Sequence, residues 1–97
     1  MSNVMVIARI RAAKGKGDAL AALLVEQAGA VRKAEPGCMV YRPHRSTSDP
    51  DVFMFYEVYR DDAAFEAHRN ARSIAQFREE SAGLGIKISA TRCTPAA

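Results

Sequence analysis

A glutamate and a histidine in this chain are spaced so that they can share one chemical task. Glu57 interrupts the apolar segment Val52–Tyr59, and His68 follows on a short predicted helix, so both side chains face one interior. Histidine has an unperturbed pKa near neutral pH, which suits it to the role of a general base. The carboxylate of Glu57 can orient that base through a hydrogen bond, and Tyr59, on the same face of the strand, can donate its hydroxyl to a bound oxygen. His68, Glu57 and Tyr59 are therefore the predicted catalytic residues.

Aromatic residues accompany this group and predict an apolar pocket. Phe53 and Phe55 share the strand face of Glu57, and Phe65 shares the helix face of His68. Such rings form walls for a flat apolar ligand. The predicted substrate contacts are Phe53, Phe55, Phe65, Tyr41 and His44.

A purely structural interpretation stands beside the catalytic one. Glu57 and His68 can satisfy each other and fix the helix to the sheet, because a buried carboxylate without a partner is costly. The hydroxyls of Tyr41 and Tyr59 can likewise be bonded within a packed core. His44 follows a proline near a strand end, where a position at the rim or in solvent is the default. A partner for Glu57 is required under either interpretation.

Turn signals divide the chain into strands and helices in the order β-α-β-β-α-β. The first helix begins at Gly17 or Asp18, carries an apolar stripe, and ends at Glu35-Pro36-Gly37. The second helical region begins with Asp61 as its capping residue, and the pattern Ser-x-x-Gln from Ser73 predicts a capping box for a further helical turn. The predicted strands are 4–11, 38–45, 52–59 and 86–94.

This order predicts a ferredoxin-like α+β fold, in which helices cover one face of an antiparallel sheet. In the third strand Met54, Tyr56 and Val58 point away from Glu57, and Ile7 of the first strand points the same way as they do. Monomeric proteins rarely expose an apolar face of this size. The sequence therefore predicts a homodimer in which two sheets pack face to face as a dimeric α+β barrel.

Length and composition limit the other possibilities. The 97 residues predict one domain over 1–97, with a loose tail at 95–97. No run of about 18 apolar residues and no signal-peptide pattern occurs, so no membrane partner is expected and the cytoplasm is the predicted location. Cys38 and Cys93 lie far apart without a C-x-x-C pattern, which argues against a metal or redox site. The net charge is +3, but basic and acidic residues are interleaved, which argues against nucleic acid as a partner.

Several short motifs carry a family resemblance. Glu35-Pro36-Gly37-Cys38 follows the first helix, Tyr41 lies in the second strand, and Asp49-Pro50 lies in the next turn. The third strand adds Glu57-Val58-Tyr59, followed by an acidic turn and Phe65-x-x-His68. On these residues, and over nearly its whole length, the chain resembles the antibiotic biosynthesis monooxygenase family of small dimeric α+β barrels.

The resemblance implies a homodimer, a pocket between each sheet and its helices, and oxygenation of electron-rich aromatics such as quinols and phenols without metal or flavin. Such a reaction needs a base, because the phenolate passes an electron to dioxygen far more readily than the neutral phenol does. The resemblance thus implies a cofactor-independent monooxygenase that acts on a small phenol, quinol or related compound.

Two departures from the family pattern bear on the reaction. Tyr59 stands where the family usually has tryptophan, and Ala8 stands where haem-degrading relatives carry asparagine. Together these departures argue against haem degradation. The alternative function is a small-molecule binding or stress-response module of the same fold, without chemistry of its own.

Overall fold

Segments rich in β-branched and aromatic residues form one four-stranded antiparallel sheet in the computed structural model, which describes residues 3–96. The order across the sheet is β2-β3-β1-β4, so the two central strands are the first and third of the chain. This is the ferredoxin-like α+β fold that the sequence predicts. The strands are β1 (Val4–Arg11), β2 (Cys38–Arg45), β3 (Val52–Tyr59) and β4 (Lys87–Cys93).

Three helices connect the strands. α1 (Gly17–Ala34) joins β1 to β2, while α2 (Asp62–Arg69) and α3 (Arg72–Glu80) follow β3. A short 3-10 turn, Ala82–Leu84, ends at Gly85, which has a left-handed backbone with φ of 59°. No helix within residues 3–96 is both long enough and apolar enough to cross a membrane.

The helix boundaries confirm most of the sequence predictions. α1 begins at Gly17 and ends directly before Glu35, and the Asp61 side chain caps α2 by accepting a hydrogen bond of 2.8 Å from the Ala64 amide. The predicted capping box at Ser73 is wrong. α3 begins at Arg72, which places Ser73 inside the helix, and the Ser73 hydroxyl donates to the Glu35 carboxylate at 3.2 Å, a tertiary contact that competes with local capping.

The chain end also departs slightly from expectation. β4 is shorter than the predicted strand by one residue at each end. Pro95 and Ala96 are exposed and belong to no helix or strand. Ala97, the last residue of the predicted tail, lies outside the described residues.

The core lies between α1 and the central strands. The predicted stripe of α1 places Leu20, Leu24 and Val31 in the interior, where at most 2% of each residue is exposed. These side chains pack against Ile10 of β1 and Phe53 of β3. Truncating such a residue to alanine typically costs about 2–5 kcal/mol, so this contact holds α1 on the sheet.

The other face of the sheet carries no helix and stays apolar at its centre. Ile7 of β1 pairs with Tyr56 of β3, and Met54 lies beside them. These three side chains are 45%, 39% and 38% exposed, respectively. The strand parity predicted from the sequence is confirmed, and this apolar face has no cover within residues 3–96.

A close backbone approach explains the glycine that begins α1. The amides of Gly15 and Gly17 donate to the Asp51 carboxylate at 3.1 and 2.8 Å, which draws the β2–β3 turn against the helix start. A Cβ atom on Gly17 would lie 2.1 Å from the Pro50 carbonyl oxygen. Only glycine, which has no Cβ atom, fits this position without moving the turn.

Gly17→Ala and Gly29→Ala form a matched pair within α1. We expect Gly17→Ala to lower the free energy of unfolding by about 1–3 kcal/mol, because the new methyl group meets backbone. Gly29 has no neighbouring atom within 4 Å of an added Cβ, so Gly29→Ala should raise it by about 0.5–1 kcal/mol. Urea denaturation of the two variants measures both effects, and shifts of the same sign would contradict the prediction.

Candidate active site

A cavity of about 490 Å³ opens between the helix-bearing face of the sheet and helices α2 and α3. Its floor is formed by β1 and β4, which pair through Ala8 and Ala90 and through Ile10 and Ile88. The two alanines lie side by side, and their short side chains leave room above the sheet. The space is therefore a consequence of small residues at adjacent strand positions.

Aromatic rings form the walls of this cavity. Tyr41 and Phe55 meet edge to face with ring centroids 4.9 Å apart, and Phe65 and Phe77 line the sides formed by the helices. Tyr41 reaches the site because it pairs with Glu57 on the helix-bearing face of the sheet. Three of the predicted substrate contacts, Tyr41, Phe55 and Phe65, thus line one cavity.

Two other predicted contacts lie elsewhere. Phe53 is buried in the core beside α1 and does not line the cavity. His44 pairs with Met54 on the helix-free face of the sheet and is exposed. His44 therefore does not line this cavity, because strand parity turns its side chain to the opposite face of the sheet.

His68 is buried at the end of α2 and lines the cavity. Its ring lies between two tyrosines, with centroid distances of 5.1 Å to Tyr41 and 5.2 Å to Tyr59. Its Nδ1 atom lies 2.8 Å from Oε1 of Glu35, and the other oxygen of that carboxylate accepts from Ser73. Packing and hydrogen bonding together fix the orientation of the imidazole.

The free nitrogen of His68 faces the open space. A carboxylate only accepts hydrogen bonds, so Nδ1 carries the proton donated to Glu35 and Nε2 keeps its lone pair. Nε2 makes no hydrogen bond within residues 3–96, yet no buried side-chain nitrogen or oxygen there lacks a partner. Nε2 must therefore be accessible to solvent. A histidine with one nitrogen held by a carboxylate and the other exposed has the arrangement of a general base.

The predicted hydrogen bond between Glu57 and His68 is wrong. Glu57 instead accepts a short hydrogen bond of 2.5 Å from the Tyr59 hydroxyl, and among residues 3–96 no hydrogen bond or ion pair joins Glu57 to His68. Tyr59 is adjacent on the same strand face, so its hydroxyl reaches the carboxylate locally. Glu35 arrives from the end of α1 and takes the position beside the imidazole.

The Tyr59 side chain lies in the buried interior and not at the cavity surface. It is fully buried, its ring lies 5.1 Å from that of Phe65, and it does not line the cavity. Burial and the neighbouring Glu57 carboxylate raise the pKa of the Tyr59 hydroxyl, which keeps it a donor. The structure directs this donor at Glu57, not at the space where a ligand would lie.

Burial also dominates the electrostatics of Glu57 and Tyr41. It raises the pKa of Glu57 above its ordinary value, opposed by the hydrogen bond from Tyr59 and by the charge of His68. It raises the pKa of Tyr41 too, with the Glu57 carboxylate adding to the effect. Nearby Cys38 has its pKa raised to about 11 by burial, so it stays a thiol at neutral pH.

Glu35 is the site residue that sequence reasoning missed. From the sequence, Glu35 was part of the stop signal of the first helix and of the motif Glu35-Pro36-Gly37-Cys38 that carries the family resemblance, and it had no predicted role in the site. Its carboxylate bonds to His68 across a separation of 33 residues. No local pattern predicts such a pairing, since the segment after α1 reaches α2 only in the tertiary structure.

The raised pKa of Glu57 predicts a stability difference that depends on pH. Below the ordinary carboxyl pKa of 4.5 the group is protonated in both the folded and unfolded states and costs nothing. As the pH rises, the Glu57 carboxyl ionises first in the unfolded state. Its burial therefore destabilises the folded state increasingly until the pH passes the raised pKa that Glu57 has in the folded state. Glu57→Gln removes this cost and still accepts from Tyr59. We therefore expect Glu57→Gln to melt above wild type once the pH passes 4.5, with a difference that grows until the raised pKa of Glu57 in the folded state is reached. Measurements from about pH 4 to pH 8 follow this difference.

Thermal unfolding across this pH range measures the difference. Glu79→Gln makes the same chemical change on the exposed surface of α3 and serves as the control. Its melting temperature should differ from wild type by a small and nearly constant amount. A Glu57→Gln variant that is less stable than wild type at pH 8 would contradict the prediction.

Comparison with known proteins agrees with this architecture. A family model described as antibiotic biosynthesis monooxygenase matches residues 3–80, which include every side chain of the cavity walls and the Glu35–His68 pair. The chain belongs to the antibiotic biosynthesis monooxygenase family. The family resemblance inferred from the sequence motifs is thereby confirmed.

Solved structures share the fold along the whole chain. A crystal structure of PA3566 from Pseudomonas aeruginosa is 32% identical, with a TM-score of 0.82 and coverage of 98% of this chain and 97% of that one. The structure of Rv0793 from Mycobacterium tuberculosis is 29% identical, with a TM-score of 0.85 and coverage of 99% and 97%. A putative antibiotic biosynthesis monooxygenase from Bacteroides thetaiotaomicron has a TM-score of 0.88 over 99% of this chain and 91% of its own, but at 21% identity it shows the fold alone.

A curated sequence relative offers a narrower match. Uncharacterized protein sll1783 of Synechocystis is 33% identical over 55 residues, which is 57% of this chain. The match spans 37% of that protein's length. This match indicates no activity beyond what family membership implies.

Proposed function

We propose that this chain is a cofactor-independent monooxygenase that oxidises a small phenol or quinol with dioxygen. The observation that carries the proposal is the orientation of His68, whose Nδ1 is held by Glu35 while Nε2 is accessible at an aromatic cavity. Family membership supports the reaction class, and the cavity supports a flat apolar substrate. Glu35 takes the orienting role that the sequence assigned to Glu57.

The proposed reaction begins with proton transfer. Nε2 of His68 accepts the hydroxyl proton of the substrate, and the Glu35 carboxylate stabilises the imidazolium that forms. The resulting anion gives an electron to dioxygen, and the two radicals combine in a carbon–oxygen bond. The peroxide takes the proton back from the imidazolium, and its O–O bond then breaks with loss of the hydrogen on the same ring carbon, which leaves a carbonyl group there and releases water. For a 1,4-quinol the balance is one quinol and one dioxygen yielding one hydroxyquinone and one water. Both reducing electrons come from the substrate, so no external reductant is consumed.

The aromatic walls would protect this chemistry. Tyr41 and Phe55 offer flat apolar surfaces, and water exclusion strengthens the interaction between imidazolium and anion. Glu57 lies at the cavity, and its carboxyl group accepts a hydrogen bond from the Tyr59 hydroxyl. In this proposal Glu57 tunes the site and does not abstract the proton.

The proposed working unit is a homodimer. Ile7, Met54 and Tyr56 form an apolar face that monomeric proteins rarely leave uncovered, and burial of these side chains against a second copy would remove it from water. Sedimentation velocity at micromolar concentration should show a dimer. A monomer under those conditions would count against this arrangement.

A binding module without chemistry is the second candidate. It is favoured by one observation: the Tyr59 hydroxyl, predicted to donate to substrate, is committed to Glu57. The cavity would then hold a small aromatic molecule without converting it. Ligand binding without oxygen consumption would support this candidate over the monooxygenase.

Oxygen consumption by the purified protein tests the proposal directly. A panel of phenols, hydroquinones and naphthoquinols is added to chelator-treated protein in an oxygen electrode, and uncatalysed oxidation of each compound is subtracted. We expect at least one compound to consume one dioxygen per hydroxylated product, with water rather than hydrogen peroxide as the second product. Rates equal to the uncatalysed background across the panel would overturn the proposal.

A further inference from the structure

The positively charged side chains of the cavity lining are paired with acidic groups except at its mouth. Glu66 and Arg69 form an ion pair with a separation of 3.4 Å, and the carboxamide of Asn70 donates to the Glu66 carbonyl at 3.0 Å. Deeper in the cavity, His68 is paired with Glu35. These groups have partners of their own and leave little charge to attract a ligand.

Arg78 is the exception. It lines the cavity from α3 together with Ile74 and Phe77, residues three and four positions apart that share one helical face. Within residues 3–96 its guanidinium makes no hydrogen bond and no ion pair. Phe77 is buried and Arg78 is exposed, so the guanidinium lies at the solvent side of the cavity while His68 lies inside.

The neighbouring arginines differ from Arg78 in this respect. Arg69 and Arg92 both lie near the ring of Phe65, at 6.0 and 5.7 Å from its centroid, and each is paired with an acidic residue of α2. Arg78 therefore contributes the one positive charge of the cavity lining that is not neutralised within the described residues. A planar guanidinium binds a carboxylate through two parallel hydrogen bonds, and the single positive charge of Arg78 is neutralised by one carboxylate.

We propose that Arg78 binds a carboxylate on the ligand, so that the substrate is an aromatic acid with its ionised group at the mouth and its hydroxyl at His68. The placement of the substrate hydroxyl at His68 rests on the proposed function, whereas the binding of the carboxylate by Arg78 does not. The ligand then spans the cavity from a charged exterior to an apolar interior. Its carboxylate selects the compound and fixes which hydroxyl meets Nε2.

Anaerobic titration calorimetry tests this assignment without turnover. The probes are 2,5-dihydroxyphenyl compounds bearing a carboxylate directly or through one or two methylene groups, each matched with its neutral amide. We expect at least one acid to bind about tenfold more tightly than its amide, with a preference that weakens as salt is added. Arg78→Ala should abolish the preference, and Arg78→Lys should keep part of it.

Arg72→Ala is the matched control, because Arg72 is exposed on the same helix and does not line the cavity. It should retain the full preference for the acid. The inference is overturned if no acid binds more tightly than its amide, or if the preference survives in Arg78→Ala. Acids that bind through Arg78 but consume no oxygen would leave this inference standing and remove the proposed reaction, so the two failures are distinguishable.

Discussion

His68→Ala should lower the rate of substrate-dependent oxygen consumption by roughly 10²–10⁴-fold, the usual contribution of a general base. Nε2 of His68 is the accessible imidazole nitrogen of the cavity, whereas the two carboxylates of the lining, Glu57 and Glu66, are already bonded to Tyr59 and Arg69. Oxygen electrode measurements of His68→Ala and wild type at equal protein concentration provide this readout.

The control for this prediction is the only other histidine of the chain. His44→Gln changes an exposed residue on the opposite face of the sheet and should leave kcat near the wild-type value. Removal of the buried imidazole can also loosen the packing between Tyr41 and Tyr59, so thermal unfolding of His68→Ala is measured in parallel. Partial recovery of the rate with added imidazole would separate lost chemistry from lost structure. A folded His68→Ala variant with wild-type turnover would contradict the assignment.

Glu35→Gln should lower kcat by about 10- to 100-fold while changing KM little. Its carboxylate bonds to Nδ1 of His68 and does not line the cavity, so it acts on the base and not on the bound ligand. The amide keeps the shape and can still bond to Nδ1, but it lacks the negative charge that stabilises the imidazolium. The expected loss corresponds to a charged hydrogen bond of about 1.5–3 kcal/mol.

The split between kcat and KM distinguishes this positioning role from a structural one. A merely structural Glu35 would give a variant with lower stability and a normal kcat for the folded fraction. Glu79→Gln, the same substitution on the exposed face of α3, should change neither parameter. A rise in KM as large as the expected loss of kcat, with kcat itself unchanged, would place Glu35 in substrate binding and contradict the prediction.

The fold was predictable because its signals are local. Alternation in β1 and β3 separated Ile7 and Tyr56 from the face of Glu57, and the apolar stripe of α1 identified the side that covers the sheet. Asp61 was recognisable as a cap from its type and position alone. The capping box at Ser73 failed because its hydroxyl found a distant carboxylate, which a local pattern cannot register.

By itself, the sequence determined that a glutamate, a histidine and several aromatic rings face one interior, since strand and helix periodicities decide the face of each side chain. Only the tertiary structure decided which acid meets the histidine. Glu35 reaches His68 because the residue that follows α1 lies next to the end of α2. Glu57 instead accepts a hydrogen bond from its strand neighbour Tyr59. Short-range periodicity thus selects the participants, and the tertiary placement of Glu35, directly after α1, beside the end of α2 selects the partners.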